Sequence, residues 1–243
     1  MSAVLCIGGL DSSGGAGLLR DAATVEGLGV AVRVAASAVT AQGPGGVAAV
    51  QPVDPATLAA QIAAAGPVAA VKTGMLCDAA RVRAVAEALP DVPLVLDPVL
   101  AASSGRALLD PGGVAAMLDL LVPRAALVTP NGPERDALAA LLGVAPADLP
   151  AALLDRGCGA VLVKGGHGGG PSCEDVLHDA GGRRRFRAPR LPGGARGTGC
   201  TLASAVAARL ARGAGLAEAV ADARAVVRAR IRAGGDQGAT SPR

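Results

Sequence analysis

Ala3-Val4-Leu5-Cys6-Ile7-Gly8-Gly9-Leu10-Asp11-Ser12-Ser13-Gly14-Gly15-Ala16-Gly17 is the stretch on which the fold turns. Ala3 to Gly8 reads as a short apolar strand. Gly14 to Leu28 reads as a helix entered through glycines. A plain strand-to-helix turn explains one or two glycines, not the five found between Gly8 and Gly17. The loop is not a Walker A motif, because no Gly-Lys-Ser/Thr ends it, and G-x-G-x-x-G cannot be aligned to it either. It offers a flexible backbone wall carrying Asp11, Ser12 and Ser13.

The same strand-then-helix rhythm continues along the chain. Val32 to Val39, Val47 to Val50, Val68 to Lys72, Pro93 to Leu96, Ala126 to Val128 and Ala160 to Lys164 are expected strands. Between them the spacing predicts helices over Pro55–Ala65, from Asp78 to Leu89, over Pro111–Leu121, Pro133–Leu142 and Ala147–Arg156. Asp54 is placed to cap the first of these, with Pro55 at its first position. Asp175 to His178 and Arg185 to Ala188 read as a hairpin around Gly181-Gly182. Thr198 to Ala211 and Leu216 to Ala233 close the chain as helices, with Gly234 to Arg243 frayed.

Alternation of this kind argues for an α/β fold with a mostly parallel central sheet and helices on both faces. Ligands in such sheets sit beyond the carboxyl ends of the strands. Asp11, Gln42, Lys72, Asp97, Asn131, Lys164 and the loop before Thr198 all fall there. No repeat and no dividing linker is seen, so residues 1–243 are expected to form a single domain.

Composition excludes several classes. A formal net charge of +3 is too small to argue for nucleic acid. The basic cluster Arg183-Arg184-Arg185 precedes Phe186, the only aromatic residue, where a nucleic-acid site offers several stacking rings. No apolar run of about 18 residues suggests a membrane span, and the amino terminus lacks the marks of a signal peptide. Five dispersed cysteines, Cys6, Cys77, Cys158, Cys173 and Cys200, form neither a disulfide framework nor a zinc site, which suits a reducing cytoplasm. Only two lysines occur, Lys72 and Lys164, against 21 arginines. Each lysine ends an apolar run just before glycine, where a compact ammonium suits a phosphate.

Gly197-Thr198-Gly199-Cys200 opens an alanine-rich helix. Glycines let backbone approach a ligand, and the first helical turn offers free N–H groups and the positive end of the dipole. Together these suit a phosphoryl group in transfer. A simple glycine turn explains the tetrapeptide equally well. Cys200 in that turn stands where a thiol pKa is lowered, so it is a candidate base for an alcohol acceptor. Lys164-Gly165-Gly166-His167 ends a strand, and the lysine is placed to neutralise a phosphate. His167 is given no catalytic role. In Asn131-Gly132-Pro133-Glu134, Glu134 suits Mg²⁺ through water, and equally suits the helix dipole.

Taken in order, Asp11-Ser12-Ser13-Gly14-Gly15-Ala16-Gly17, Thr40-Ala41-Gln42, Lys72-Thr73-Gly74-Met75-Leu76, Leu96-Asp97-Pro98-Val99, Thr129-Pro130-Asn131, Lys164-Gly165-Gly166-His167 and Gly197-Thr198-Gly199-Cys200-Thr201 resemble the hydroxymethylpyrimidine/phosphomethylpyrimidine kinases. That resemblance implies a ribokinase-like fold and ATP-dependent phosphorylation of a small hydroxymethyl pyrimidine in thiamine biosynthesis. By it, Cys200 is the catalytic base, with Gly197, Thr198 and Gly199 completing an anion hole. Gln42 bonds the aminopyrimidine, and Gly9, Asp21, Thr40 and Met75 line its pocket. Lys164 contacts ATP phosphates and Glu134 helps place Mg²⁺; Asn131 is a further candidate on the ATP side, and Arg196 is expected there as a replacement positive charge. A cytoplasmic homodimer is also implied, with no nucleic-acid or membrane partner. Arg196 stands where the family usually has histidine, Ser103 where lysine is common, Gly43 where asparagine is usual and Leu10 where a small polar residue is usual. The glycine-rich tail ending in Gly-Pro-Val is missing or altered. Rival readings are a pyridoxal/pyridoxine or hydroxyethylthiazole kinase of the same superfamily, a non-catalytic small-ligand-binding relative, and a dinucleotide-binding oxidoreductase.

Overall fold

The computed structural model describes residues 2–43, 45–102, 104–166 and 168–237. Ser103 and His167 therefore lie outside the described residues. Strand β1, Ala3–Asp11, is buried along nearly its whole length. That accounts for its unbroken apolar run, because a strand covered on both faces has no polar side to show. Leu5 and Ile7 point to one layer and Val4 and Cys6 to the other.

Helix α1, Gly17–Gly27, follows β1, and then come β2, Ala31–Gly43, and β3, Gly46–Pro52. Next are α2 Pro55–Ala64, β4 Ala70–Thr73, α3 Ala79–Ala88, β5 Leu94–Leu96, α4 Pro111–Leu120 and β6 Ala125–Val128. The chain ends with α5 Gly132–Leu142, α6 Leu149–Asp155, β7 Ala160–Val163, β8 Ser172–Asp179, β9 Gly182–Pro189, α7 Thr198–Leu210 and α8 Leu216–Gln237. The sheet order is β3-β2-β1-β4-β5-β6-β7-β8-β9. Neighbours from β2 to β7 are parallel, and β3, β8 and β9 are antiparallel additions.

Helices cover both faces. Leu58 and Ile62 of α2, Val82 of α3, Met117 of α4, Leu138 of α5 and Leu153 of α6 pack with Leu5 and Ile7 on one side. Leu18 and Val25 of α1, Val206 of α7 and Val220 of α8 pack with Val4 and Cys6 on the other. Asp54 and Asp78 cap α2 and α3 through backbone amides, as their positions suggest.

After β1 the chain builds β2 on one side, and later returns to build β4 on the other. This reversal opens a crevice at the carboxyl ends of β1 and β4, where α/β sheets bind ligands. Two expectations need correction. The β2–β3 ribbon is longer than its apolar run: Thr40 to Gly43 remain paired because Gln42 and Gly43 face Val47 and Gly46 across the hairpin. Cross-strand pairing extends it where composition gives no sign. The last helix also runs past Ala233 to Gln237, so the supposed frayed tail is helical at its start.

Candidate active site at the start of helix α7

Helix α7 begins without a side-chain cap. Its N-cap, Gly197, has φ 73°, and a Cβ there would stand 3.1 Å from both Ala16 Cα and Arg20 Cγ. Glycine is required by conformation and by space. Thr201 Oγ1 donates to the Gly197 carbonyl at 2.9 Å, which holds the turn from inside. The amides of the first turn thus face outward with no side chain to satisfy them, an arrangement that receives anions. Leu202 to Ala208 are buried and anchor the rest of α7.

Cys200 is half-buried, and its sulfur lies within electrostatic reach of Lys72, Asp21 and Asp97. Burial pushes its thiol up to about 11, against the pull of Lys72 and a hydrogen bond from the Gly17 amide. Asp21 and Asp97 push in the same direction as burial. This corrects the expectation of a lowered thiol pKa at a helix start. The helix end alone favours thiolate, but enclosure and two carboxylates outweigh it.

Beneath Cys200 lies a buried ion pair. Lys72 Nζ is 2.7 Å from Asp21 Oδ2, and each side chain is 1% exposed. Ser204 Oγ donates to Asp21 Oδ1 at 2.7 Å. Burial holds the Asp21 carboxyl above the usual carboxylate range, with the adjacent Lys72 ammonium and the Lys72 and Ser204 hydrogen bonds opposing that rise. Lys72 is held above the ordinary lysine range: burial opposes its charge, but Asp21, Cys200 and Asp97 more than offset it. Lys72 is therefore spent on Asp21 and is not open to a phosphate. Asp21 likewise has no exposed surface and both oxygens engaged, so it underlies the pocket rather than lining it.

A second group stands beside Gly199, where a Cβ would be 3.3 Å from Lys164 Nζ and 3.7 Å from Asp97 Oδ2. Lys164 Nζ is 2.8 Å from Asp97 Oδ1 and 3.9 Å from Glu134 Oε2. Thr129 Oγ1 donates to Asp97 Oδ1 at 3.0 Å. Burial works against the Asp97 charge, but Lys164 and Lys72 hold its carboxyl below the usual range. Glu134 is pushed up to about 7, first by burial, with Lys164 opposing and Asp97 assisting. Asn131 Oδ1 accepts from the Glu134 amide at 2.9 Å, and Glu134 Oε2 accepts from the Asn131 amide at 2.8 Å. Glu134 thus closes a capping box on α5, in keeping with the helix-terminus reading, and also faces Lys164.

Arg196 joins the two glycine loops. Its Nη2 is 3.1 Å from Asp11 Oδ2 and its Nη1 donates to Ser13 Oγ at 3.1 Å. Asp11 also accepts from the Ser13 and Ala16 amides, so its carboxylate organises the β1–α1 loop. Gly9 and Met75 meet across the switch point, since a Cβ on Gly9 would lie 2.7 Å from Met75 Sδ. Thr40 is buried, and its hydroxyl donates to the Leu10 carbonyl at 2.9 Å. Gln42 sits at the hairpin end, where its backbone N–H donates to Ser12 Oγ at 3.2 Å. Ser12, Ala41, Gln42, Gly43, Val47 and Ala48 help line a shallow recess there, and Cys200 does not. The described contacts tie Gln42 to the site through Ser12.

Sequence reasoning placed Asp97 at the ligand end of its strand but assigned it no chemical role. It also gave none to Ser204, Arg20 or Arg230, which lie inside ordinary helical pattern. What the assembled groups can do is hold an anion at the α7 amides, take a proton on Cys200, and balance further negative charge with Lys164.

The family described as phosphomethylpyrimidine kinase matches residues 11–241 of the chain. The thiamine biosynthesis bifunctional protein ThiED of Geobacter sulfurreducens is 41% identical over 239 residues, 94% of this chain and 49% of that protein, so the chain spans about half of it. The hydroxymethylpyrimidine/phosphomethylpyrimidine kinase of Rhizobium meliloti is 41% identical over 242 residues, covering 94% of this chain and 90% of that one. Among solved structures, the pyridoxal kinase of Staphylococcus aureus in complex with AMP-PCP and pyridoxal superposes with a TM-score of 0.85 at 29% identity, covering 95% of this chain and 88% of that chain.

Proposed function

The chain belongs to the phosphomethylpyrimidine kinase family, and from that premise we propose that it moves the γ-phosphoryl group of ATP to the hydroxymethyl oxygen of 4-amino-5-hydroxymethyl-2-methylpyrimidine, and then to the resulting monophosphate, in thiamine biosynthesis. The observation that carries this reading is the placement of Cys200 in the open first turn of α7, with Lys164 and Asp97 against the adjacent Gly199. A non-catalytic binding protein has no use for a thiol surrounded by Lys72, Asp21 and Asp97.

In the first transfer the amides of Thr198, Gly199 and Cys200 hold the charge that grows on the moving phosphoryl group. The hydroxyl proton passes to the ionised Cys200 sulfur as the new O–P bond forms. The bond from the γ-phosphorus to its bridging oxygen breaks, and ADP leaves with that electron pair. In the second transfer the acceptor is a phosphate oxygen, already ionised near neutral pH, and no base is needed. Lys164 offsets phosphate charge. Arg196 and Asn131 position the loops on the ATP side, Arg196 through Asp11 and Asn131 through the α5 cap.

Asp97 and Glu134 fit a magnesium ion, which takes one or two carboxylates plus phosphate oxygens, and both face Lys164. Bound there, the metal would draw charge from the phosphates. Met75 and Gly9 supply an apolar wall for the pyrimidine, and Gln42 supplies its polar partner. The thioether suits a ring in a chain with a single aromatic residue. We place the protein in the cytoplasm as a single-domain homodimer, with Val34 and Val39, 49% and 46% exposed on β2, as apolar surface for a second copy.

A pyridoxal kinase is the second reading, favoured by the superposition on the staphylococcal enzyme at 29% identity. The 41% identity to a hydroxymethylpyrimidine kinase favours the pyrimidine. Turnover of hydroxymethylpyrimidine, pyridoxal and hydroxyethylthiazole with ATP and Mg²⁺, measured side by side, decides. A kcat/KM for the pyrimidine below that for either rival would reject the proposal.

A further inference from the structure

Arg20, in the first turn of α1, and Arg230, in the second half of α8, have no part in the chemistry above, yet both converge on the entry to α7. Arg20 Cγ stands 3.1 Å from the position a Cβ on Gly197 would take. Arg20 Nη2 donates to the Gly14 carbonyl at 3.0 Å. Arg230 Nη2 donates to the Arg196 carbonyl at 3.0 Å, one residue before that N-cap. The two side chains therefore bracket Gly197.

Each spends a hydrogen bond on a neutral carbonyl, and the Nε of each is shielded from solvent without a partner. Arg196, Arg209 and Arg224 on the same side of the sheet pair with Asp11, Asp222 and Asp175. Among the described residues neither Arg20 nor Arg230 forms such a pair. They are also close enough to feel each other: burial lowers the Arg230 pKa first, Arg20 lowers it further, and Cys200 opposes both. Two guanidinium groups crowded at the positive end of a helix, without a carboxylate, raise the local potential at cost to the empty protein. A dianion would relieve that crowding, and guanidinium forks match phosphate oxygens.

We propose that Arg20 and Arg230 form a clamp for the phosphate that the acceptor already carries when the monophosphate is the substrate, so that this pair sets preference for the second transfer over the first. The proposal rests on the function argued above. In that transfer a phosphate oxygen of the clamped group forms the new O–P bond, the bridging bond of ATP breaks, and diphosphate and ADP result with no proton to remove.

The test is steady-state kinetics of the wild type, Arg20→Gln, Arg230→Gln and Arg230→Lys with both acceptors, each at varied ATP. Loss of a charge-assisted bond is expected to raise KM for the monophosphate about tenfold more than KM for the alcohol. Arg230→Lys should recover part of that difference, and KM for ATP should move alike with both acceptors. Equal rises for the two acceptors, no rise, or an effect confined to ATP would overturn the clamp in favour of loop ties or a donor site. A calorimetric titration with inorganic phosphate accompanies the kinetics, with affinity expected to fall about tenfold in either glutamine variant. Should the wild type turn over neither acceptor, the proposed function fails, and unchanged phosphate affinity in the variants would then reject the clamp as well. If a glutamine variant does not fold, Arg230→Lys carries both measurements.

Discussion

Lys72 Nζ rests 2.7 Å from Asp21 Oδ2 with both side chains shut off from water, and both act on the Cys200 thiol. A buried pair of this kind is not by itself strong evidence of stability, because desolvation consumes much of the attraction. Removing one member is another matter. Lys72→Met should destabilise the fold by about 3–5 kcal/mol, since it leaves the Asp21 carboxylate buried beside Ser204 with no cation. The double substitution Lys72→Met with Asp21→Leu should recover much of that loss. Urea unfolding of the three variants measures it, and equal stability of the single and double variants would contradict a functioning ion pair.

Cys200→Ala should slow transfer to the alcohol by about 10²–10⁴-fold and affect transfer to the monophosphate far less. With the thiol near 11, its ionised fraction at pH 7 is on the order of 10⁻⁴ and grows tenfold with each pH unit below the pKa. Turnover of the alcohol should therefore climb about tenfold per unit from pH 7 to 9, and turnover of the monophosphate should not. A coupled ADP-release assay across that range checks both. Parallel pH profiles for the two acceptors, or equal loss in the alanine variant, would remove Cys200 from the role of base.

Much of this arrangement was legible in the chain and some was not, for physical reasons. Apolar runs such as Val4 to Ile7 and aspartates such as Asp54 and Asp78 declare strands and helix starts, because those signals are local. Cys200 and Lys164 could be singled out because glycines surround them at element ends. The pairing of Lys72 with Asp21 spans 51 positions, and that of Ser204 with Asp21 spans 183. Only the folded sheet brings such residues together. The raised Cys200 pKa was hidden for the same reason: a helix start is local, whereas burial and the two carboxylates, Asp21 of α1 and Asp97 just after β5, are not. The end of β2 stayed obscure because Thr40 to Gly43 carry no apolar pattern and are held by their partner strand.

Gly9→Ala tests the acceptor wall. The new methyl would meet Met75 Sδ at 2.7 Å, too close to stand, so the thioether must swing away. Overpacking of this kind is expected to cost about 1–3 kcal/mol and to raise KM for the pyrimidine. In a Met75→Ala background the clash has no partner, so Gly9→Ala should cost less there. A double-mutant cycle in thermal unfolding reads the coupling. Additive costs would show that Gly9 and Met75 do not share the wall.

Glu134 gives a pH dependence of opposite sense to that of an ordinary surface carboxylate. Its folded pKa of about 7 lies above the usual 4.5, so folding favours its protonated form. Its contribution to stability is complete below about 4.5 and declines as pH rises towards 7, where the unfolded chain ionises freely and the buried carboxyl resists. Glu134→Gln cannot ionise and escapes that decline. In metal-free buffer the stability of the wild type relative to this variant should therefore fall as pH rises from 4.5 to 7, by up to about 3 kcal/mol. Added Mg²⁺ should shift the balance back towards the wild type at neutral pH, because a carboxylate ligand must lose its proton to bind. Denaturation at stepped pH, with and without the metal, makes the comparison. A stability difference that rises across the window would mean that Lys164, and not burial, governs Glu134, and the carboxylate would then stand ready for metal throughout the neutral range.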